Sequence, residues 1–219
     1  MIELIVKVLA SYLVGSLIGS LIVGRLRGGV DIRTLGSGNA GGTNALRTQG
    51  KSFALWVMVI DVGKGILATR VIAPLSLQGL GLLGVGGGLR EWLPVACGLA
   101  AIVGHVYPMW FGFRGGKGVA TLVGVVFGVE PVLLLVVLLV WLVMVVLFGF
   151  VGLASIVAAS ALAVFVGVSG MQPQVPLLAF GVAVAMLVAF THRSNLARMR
   201  AGTEPRARRL WLFGRGRAG

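Results

Sequence analysis

"VLLLVVLLVWLVMVVLFG", residues 132–149, runs for eighteen positions without a charged side chain. An α-helix rises about 1.5 Å per residue and a bilayer's hydrocarbon core is about 30 Å thick, so this run spans a membrane. The rest of the chain follows suit: its 219 residues are 58% hydrophobic and only 11% charged, and mean hydropathy is +1.01. That composition excludes a soluble globular domain and specifies an all-α integral membrane protein. Further apolar runs at 53–73, 93–111, 119–130, 152–169 and 176–191 predict helices, the run at 119–130 being short for a span. The run from Leu9 to Val23 ends at Arg25 and Arg27 without a small-residue cleavage pattern, so it reads as a first transmembrane helix and not as a secretory signal. The working count is seven spans, with residues 1–219 forming one polytopic domain. Residues 74–92, glycine-rich, form a connection. Gly15 and Gly19 make a small-xxx-small pair suited to close helix packing. The single cysteine, Cys97, lies in an apolar run and has no partner for an internal disulfide.

Charge orients these helices. Arg25, Arg27, Arg33, Arg47 and Lys51 precede the second run, Arg114 and Lys117 follow the third, and eight arginines lie between Arg193 and Arg217. The positive-inside tendency places those segments in the cytoplasm, with the amino terminus outside and a basic cytoplasmic segment at 193–219. The net charge of +13 is thus chiefly a topology signal, and the tail is suited to anionic lipid heads. No nucleic-acid-binding motif accompanies the arginines, so nucleic acid is not an expected partner.

Polar residues cluster in four places: "LGSGNAGGTNALRT" (35–48), "DVGKG" (61–65), "GHVYPMWFGFRGGKGVAT" (104–121) and "FTHRSNLARMRAGTEP" (190–205). All are expected on the inner face, converging on one site. Glycines such as Gly38, Gly115, Gly116 and Gly118 let backbone N–H groups approach an anion, and Arg47 and Lys117 add full charges. A phosphate-bearing ligand is the natural occupant. "GFRGGKG" is not a nucleotide P-loop, because its spacing differs and no Ser or Thr follows the lysine. Asp61 and Lys64, three residues apart near the start of the second helix, can pair with each other or orient the anion. His105 and His192 end helices and serve either as caps or in the site; without Cys or carboxylate partners at ligand spacing they do not make a metal site. No metal and no cofactor are called for.

Together "GSGNAGGTN" with Arg47, "DVGKG", "GHVYP" with "GGKGVAT", and "HRSN" with "GTE" resemble, in order and spacing from about 31 to 204, the bacterial acyl-phosphate:glycerol-3-phosphate acyltransferases of the PlsY type. The resemblance implies a seven-helix enzyme of the bacterial cytoplasmic (inner) membrane. Such an enzyme transfers a fatty acyl group from acyl phosphate to the 1-hydroxyl of glycerol 3-phosphate, giving lysophosphatidic acid and phosphate, the first acylation of phospholipid synthesis. Carried over by position, Ser37, Asn39, Arg47, Lys64, Lys117 and His192 would be catalytic. Gly38, Thr43, Asn44, Asp61, His105, Gly115, Gly116, Gly118, Ser155, Asn195 and Glu204 would bind substrate. Implied partners are the two substrates, membrane lipids and a soluble enzyme that delivers acyl phosphate by transient contact. The chain departs from the family at three places: Gly42 stands where alanine is usual, "GSLIGS" (15–20) lacks a usual proline, and Gly152 occupies a serine position, with Ser155 nearby as a donor.

The chemistry agrees without the family name. No G-x-S-x-G elbow offers a covalent serine, and neither histidine is followed by Asp at the H-x-x-x-x-D spacing of acyl-CoA-using acyltransferases. An acyl phosphate is already activated, so positioning and fixed donors suffice, with His192, His105, Asp61 or a substrate phosphate as proton acceptor. The rival reading is a membrane transporter of a phosphorylated anion. It requires polar residues reaching the bilayer midplane or an ion path across the bilayer, and from 119 to 190 the sequence offers only Glu130 as a charge.

Overall fold

The computed structural model describes residues 1–77, 86–208 and 210–214. Among these the chain forms ten α-helices, in two compact units, Met1–Glu130 and Pro131–Gly219.

The first unit holds α1 (Ile2–Gly15), α2 (Gly19–Leu26), α3 (Gly42–Gln49), α4 (Lys51–Leu67), α5 (Leu93–Val106) and α6 (Val119–Val129). Helix α1 buries Glu3, Lys7, Ser11 and Gly15, a stripe at four-residue spacing. It exposes Ile2, Ile5, Val6, Leu9 and Leu13. In water this would be inverted; beside lipid the apolar face turns outward and the polar stripe must find partners within the protein. Lys7 Nζ lies 2.6 Å from Glu3 Oε1 and donates to the Ala73 carbonyl at 2.8 Å.

Helix pairs meet through glycine. Helix α1 packs on α5, and α4 on α6. A side chain at Gly15 would run into the Ala101 backbone, one at Gly104 into the Tyr12 carbonyl, and one at Gly124 into the Val62 carbonyl. Backbones approach this closely only where Cβ is missing, the usual device of membrane helix pairs. Gly19, the other half of the sequence pair, faces α4 instead, against Val57 and Asp61.

The single helix expected over 9–23 is two segments, α1 and α2, bent by 46°. The break falls at Ser16–Ile18 without a proline. It frees the Leu17 carbonyl and the Gly19 N–H, and α4 supplies their partners: Lys64 Nζ donates to Leu17 O at 2.8 Å, and Gly19 N donates to Asp61 Oδ1 at 3.1 Å. An exposed backbone group in a membrane costs several kcal/mol, so this pair of charges makes the break tenable. Asp61 and Lys64 therefore sit in the last two turns of α4, not near its start as the sequence suggested, because the helix begins at Lys51. Past Leu67 the helix widens into a π turn, Ala68–Ile72.

The second unit contains α7 (Pro131–Phe148), α8 (Val151–Ser169), α9 (Gln174–Thr191) and α10 (Arg193–Arg200). Helix α8 packs on both α7 and α9, and Gly181 seats α9 against Ala163. Residues after α10 return to the α7–α8 turn: Ala207 N donates to Gly149 O at 2.8 Å. The Arg206 guanidinium lies over the rings of Phe150 and Trp211, 4.7 and 4.0 Å from their centroids.

Each of the seven apolar runs falls on helix. By length and composition, four helical stretches can cross a membrane, Gly87–Phe111, Pro131–Phe148, Val151–Ser169 and Gln174–Thr191, or five with the bent α1–α2 pair. Helix α6 is apolar but has only 11 residues. Residues 78–85 of the expected 74–92 connection lie outside the described residues.

Candidate active site

Three of the four polar clusters lie in the first unit, and the structure joins them. The 31–48 segment is braced by Asn44, which is buried at the start of α3. Its Oδ1 accepts from the Ser37 N–H at 3.0 Å, while Nδ2 donates to the carbonyls of Ile32 and Leu35, both at 3.0 Å. Gly36 lies against Asn44 with φ +57°, where a Cβ would strike the amide. Ser20 on α2 donates to Ala40 O at 2.8 Å. Held this way, the loop leaves Ser37, Gly38, Thr43 and Arg47 exposed and Asn39 half-buried. Asn44 thus works as a brace: its amide is committed to the loop's own backbone.

Arg33 ties this loop to the next. Its guanidinium grips Asp31 through Nε and Nη2, the shortest contact 2.7 Å, and Nη1 donates to the carbonyls of Phe111 and Arg114 at 3.0 and 3.1 Å. The sequence reading used Arg33 only as a topology charge. The signal for more was the Asp31-x-Arg33 spacing beside the glycine loop. The guanidinium beside Asp31 holds its carboxyl below the usual value of 3.8. A lowered folded-state value means the ion pair's contribution is complete above the ordinary carboxylate range and is lost as pH falls through the lower one. Activity is therefore expected to be flat between about pH 8 and 5 so far as this pair governs it, as a rate profile would register.

The glycine-lysine loop 115–118 is fastened to the end of α5, where Gly115 N donates to Val106 O at 3.2 Å and Gly116 N to His105 O at 3.1 Å. A Cβ on Gly116 would collide with the His105 ring, and Gly118 turns with φ +85° into α6. This places Lys117, half-buried, between two constrained glycines.

Beneath it lie Asp61 (0% exposed), His105 (2%) and Lys64 (5%). Lys64 Nζ is 2.9 Å from Asp61 Oδ1 and 2.9 Å from His105 Nδ1. A lysine ammonium only donates, so Nδ1 is the acceptor and the ring proton sits on Nε2, toward Gly116. The three side chains connect the helix break at 16–18 to the 115–118 loop. They engage one another and backbone groups.

The fourth cluster lies in the second unit. His192 ends α9, with Nδ1 2.8 Å from Val188 O. Asn195 Nδ2 donates to Glu204 Oε1 at 2.5 Å, and Arg198 Nε donates to Glu204 Oε2 at 2.7 Å. Ser155 donates to Val151 O at 2.9 Å. Gly152 is where α8 admits Asn195: a Cβ there would come within 2.9 Å of Asn195 Cβ.

A family model described as glycerol-3-phosphate acyltransferase matches residues 5–202. The chain belongs to the glycerol-3-phosphate acyltransferase family. A glycerol-3-phosphate acyltransferase of Chlorobium phaeobacteroides (strain BS1) is 39% identical, covering 95% of this chain and 98% of its own. One from Synechococcus sp. (strain CC9902) is 40% identical over 89% of this chain and 90% of its own. The crystal structure of PlsY (YgiH), an integral membrane glycerol 3-phosphate acyltransferase, in its glycerol 3-phosphate form matches with a TM-score of 0.78 at 36% identity, covering 93% of this chain and 94% of that one. Its lysophosphatidic acid form matches with a TM-score of 0.76.

Within this acyltransferase the family departures have local explanations. The first helix breaks without a proline, and the backbone groups freed at Leu17 and Gly19 are engaged by Lys64 and Asp61. An alanine methyl at Gly42 would meet only the Met58 thioether, at 2.8 Å from Sδ, a flexible neighbour that can move.

Proposed function

We propose that this acyltransferase moves a fatty acyl group from acyl phosphate to the 1-hydroxyl of glycerol 3-phosphate, giving lysophosphatidic acid and phosphate. The observation that carries the reading is the pair of glycine-framed loops, bearing Arg47 and Lys117, that Arg33 binds together. The acceptor and product fit the solved relatives, crystallised in glycerol 3-phosphate and lysophosphatidic acid forms. The donor assignment rests on what the chain lacks in sequence: a nucleophile elbow and an H-x-x-x-x-D pair.

The acceptor oxygen attacks the acyl carbonyl carbon, the bond from that carbon to the phosphate oxygen breaks, and the hydroxyl proton passes to a phosphate oxygen. Ser37, Asn39 and Thr43, with the N–H groups around Gly38, supply donors for one phosphate, and Arg47 adds charge. Lys117, with the backbone at Gly115, Gly116 and Gly118, holds glycerol 3-phosphate. Lys64, held by Asp61, and His105, whose Nδ1 accepts from Lys64, set the position of that loop. By their places in the family's motifs, His192 is assigned a catalytic role, and Ser155, Asn195 and Glu204 a role in substrate binding. Catalysis by alignment and fixed positive charge needs no covalent intermediate. The enzyme resides in the bacterial inner membrane as a single polytopic acyltransferase, amino terminus outside, with 193–219 as its basic cytoplasmic segment, and receives acyl phosphate from a soluble enzyme by transient contact. This orientation rests on the arginine distribution.

The test is purified protein in lipidic detergent, supplied with glycerol 3-phosphate and either a long-chain acyl phosphate or the matching acyl-CoA, with lysophosphatidic acid followed. Product from acyl phosphate alone is expected; product only from acyl-CoA would overturn the donor. Lys117→Ala is expected to raise the glycerol 3-phosphate KM by roughly 10- to 150-fold, the equivalent of about 1.5–3 kcal/mol for a contact to a charged group. An unchanged KM in folded protein would move that role elsewhere.

A further inference from the structure

The first unit carries a second polar recess, built by the ends of α1, α4, α5 and α6 that lie away from the glycine loops. It is a cavity of about 410 Å³ whose lining includes Glu3, Lys7, Arg70, Pro74, Arg90 and Val129. Three cations and one carboxylate are among its lining residues. Lys7 is 3% exposed, and two of its three donors are taken by Glu3 and the Ala73 carbonyl. Arg70, on the π turn, and Arg90, on the short turn before α5, are exposed.

Two guanidinium forks and an ammonium around one recess suit a phosphate, whose tetrahedral oxygens accept several charge-assisted bonds at once. The volume falls in the range of small-molecule sites, about 300–1,000 Å³. Leu93 and Val129 give the recess an apolar wall beside its charges. In the orientation proposed above, these cations sit on the outer side, where Lys and Arg are ordinarily sparse. None of these residues belongs to the acyl-transfer machinery.

We propose that this cavity binds the phosphate of an anionic phospholipid headgroup, at a site separate from acyl transfer. A free phosphate presents the same chemistry, so the test separates the two. Wild type and Arg70→Gln/Arg90→Gln protein are incubated in detergent with phosphatidylglycerol or phosphatidylcholine, and retained lipid is counted by native mass spectrometry. Wild type is expected to retain phosphatidylglycerol preferentially, and the double variant to lose that preference by about tenfold, the scale of one lost charge-assisted contact. In a parallel lipid-free arm, inorganic phosphate is titrated while thermal unfolding is followed. Because phosphate can also occupy the acylation site, only the difference between wild type and variant is read. A phosphate response lost in the variant, without lipid preference in wild type, identifies free phosphate as the ligand and overturns the lipid assignment. Arg90→Glu alone, on an exposed turn, repeats the test with minimal disturbance of packing, and acyl transfer in phosphatidylcholine micelles should be unchanged in both variants. Equal lipid retention by wild type and variants, with no difference in phosphate response, overturns the site altogether.

Discussion

Asp61→Ala is expected to destabilise the acyltransferase by about 3–5 kcal/mol, the scale for removing one partner of a buried ion pair. The substitution leaves the Lys64 ammonium, 5% exposed, without its carboxylate, and deprives the Gly19 N–H of its acceptor at the helix break. Replacing both charges with apolar residues, as in Asp61→Leu/Lys64→Met, should cost less than Asp61→Ala alone, because no unpaired charge remains; what persists is the loss at Leu17 and Gly19. Thermal unfolding in detergent, together with the yield of folded protein, reads both variants. A single variant within about 1 kcal/mol of wild type would show that the pair does not hold the break.

Arg33→Met should leave the fold intact and lower kcat/KM about 100-fold, the penalty for an ångström-scale displacement of positioning groups. Arg33 is partly exposed and lies outside the helical core, so stability should change little. Its loss, however, frees the 31–48 loop from the carbonyls of Phe111 and Arg114. Arg33→Lys should not restore the rate, since one ammonium cannot grip Asp31 bidentately and also reach two carbonyls. Full activity in either variant would show that the two loops keep their register without this residue.

What the sequence revealed depended on the range of the interaction concerned. Apolar runs such as 132–149 specify helices because composition alone decides the partition into lipid, and all of the expected runs are helical. The break in the first helix was hidden because its cause is remote: with no proline in "GSLIGS", the bend depends on Asp61 and Lys64 some forty residues away. The same distance concealed the placement of Lys64 against His105. Asn44 could be read as a donor in a polar loop, but not as its brace, because that requires knowing that Ile32 and Leu35 present their carbonyls to it. Arg33 looked like one basic residue among many until its four acceptors were seen. The buried Glu3–Lys7 pair was equally hidden, although its four-residue spacing at the start of an apolar helix was visible in the chain.

The claim that acceptor attacks donor directly, with both phosphates bound and no acyl-enzyme, is tested most directly by initial velocities. Glycerol 3-phosphate and acyl phosphate would be varied against each other, with phosphate and lysophosphatidic acid both measured. Intersecting double-reciprocal lines with equal release of the two products are predicted. Parallel lines, or a burst of phosphate before any lysophosphatidic acid appears, would signal a covalent intermediate and contradict the account.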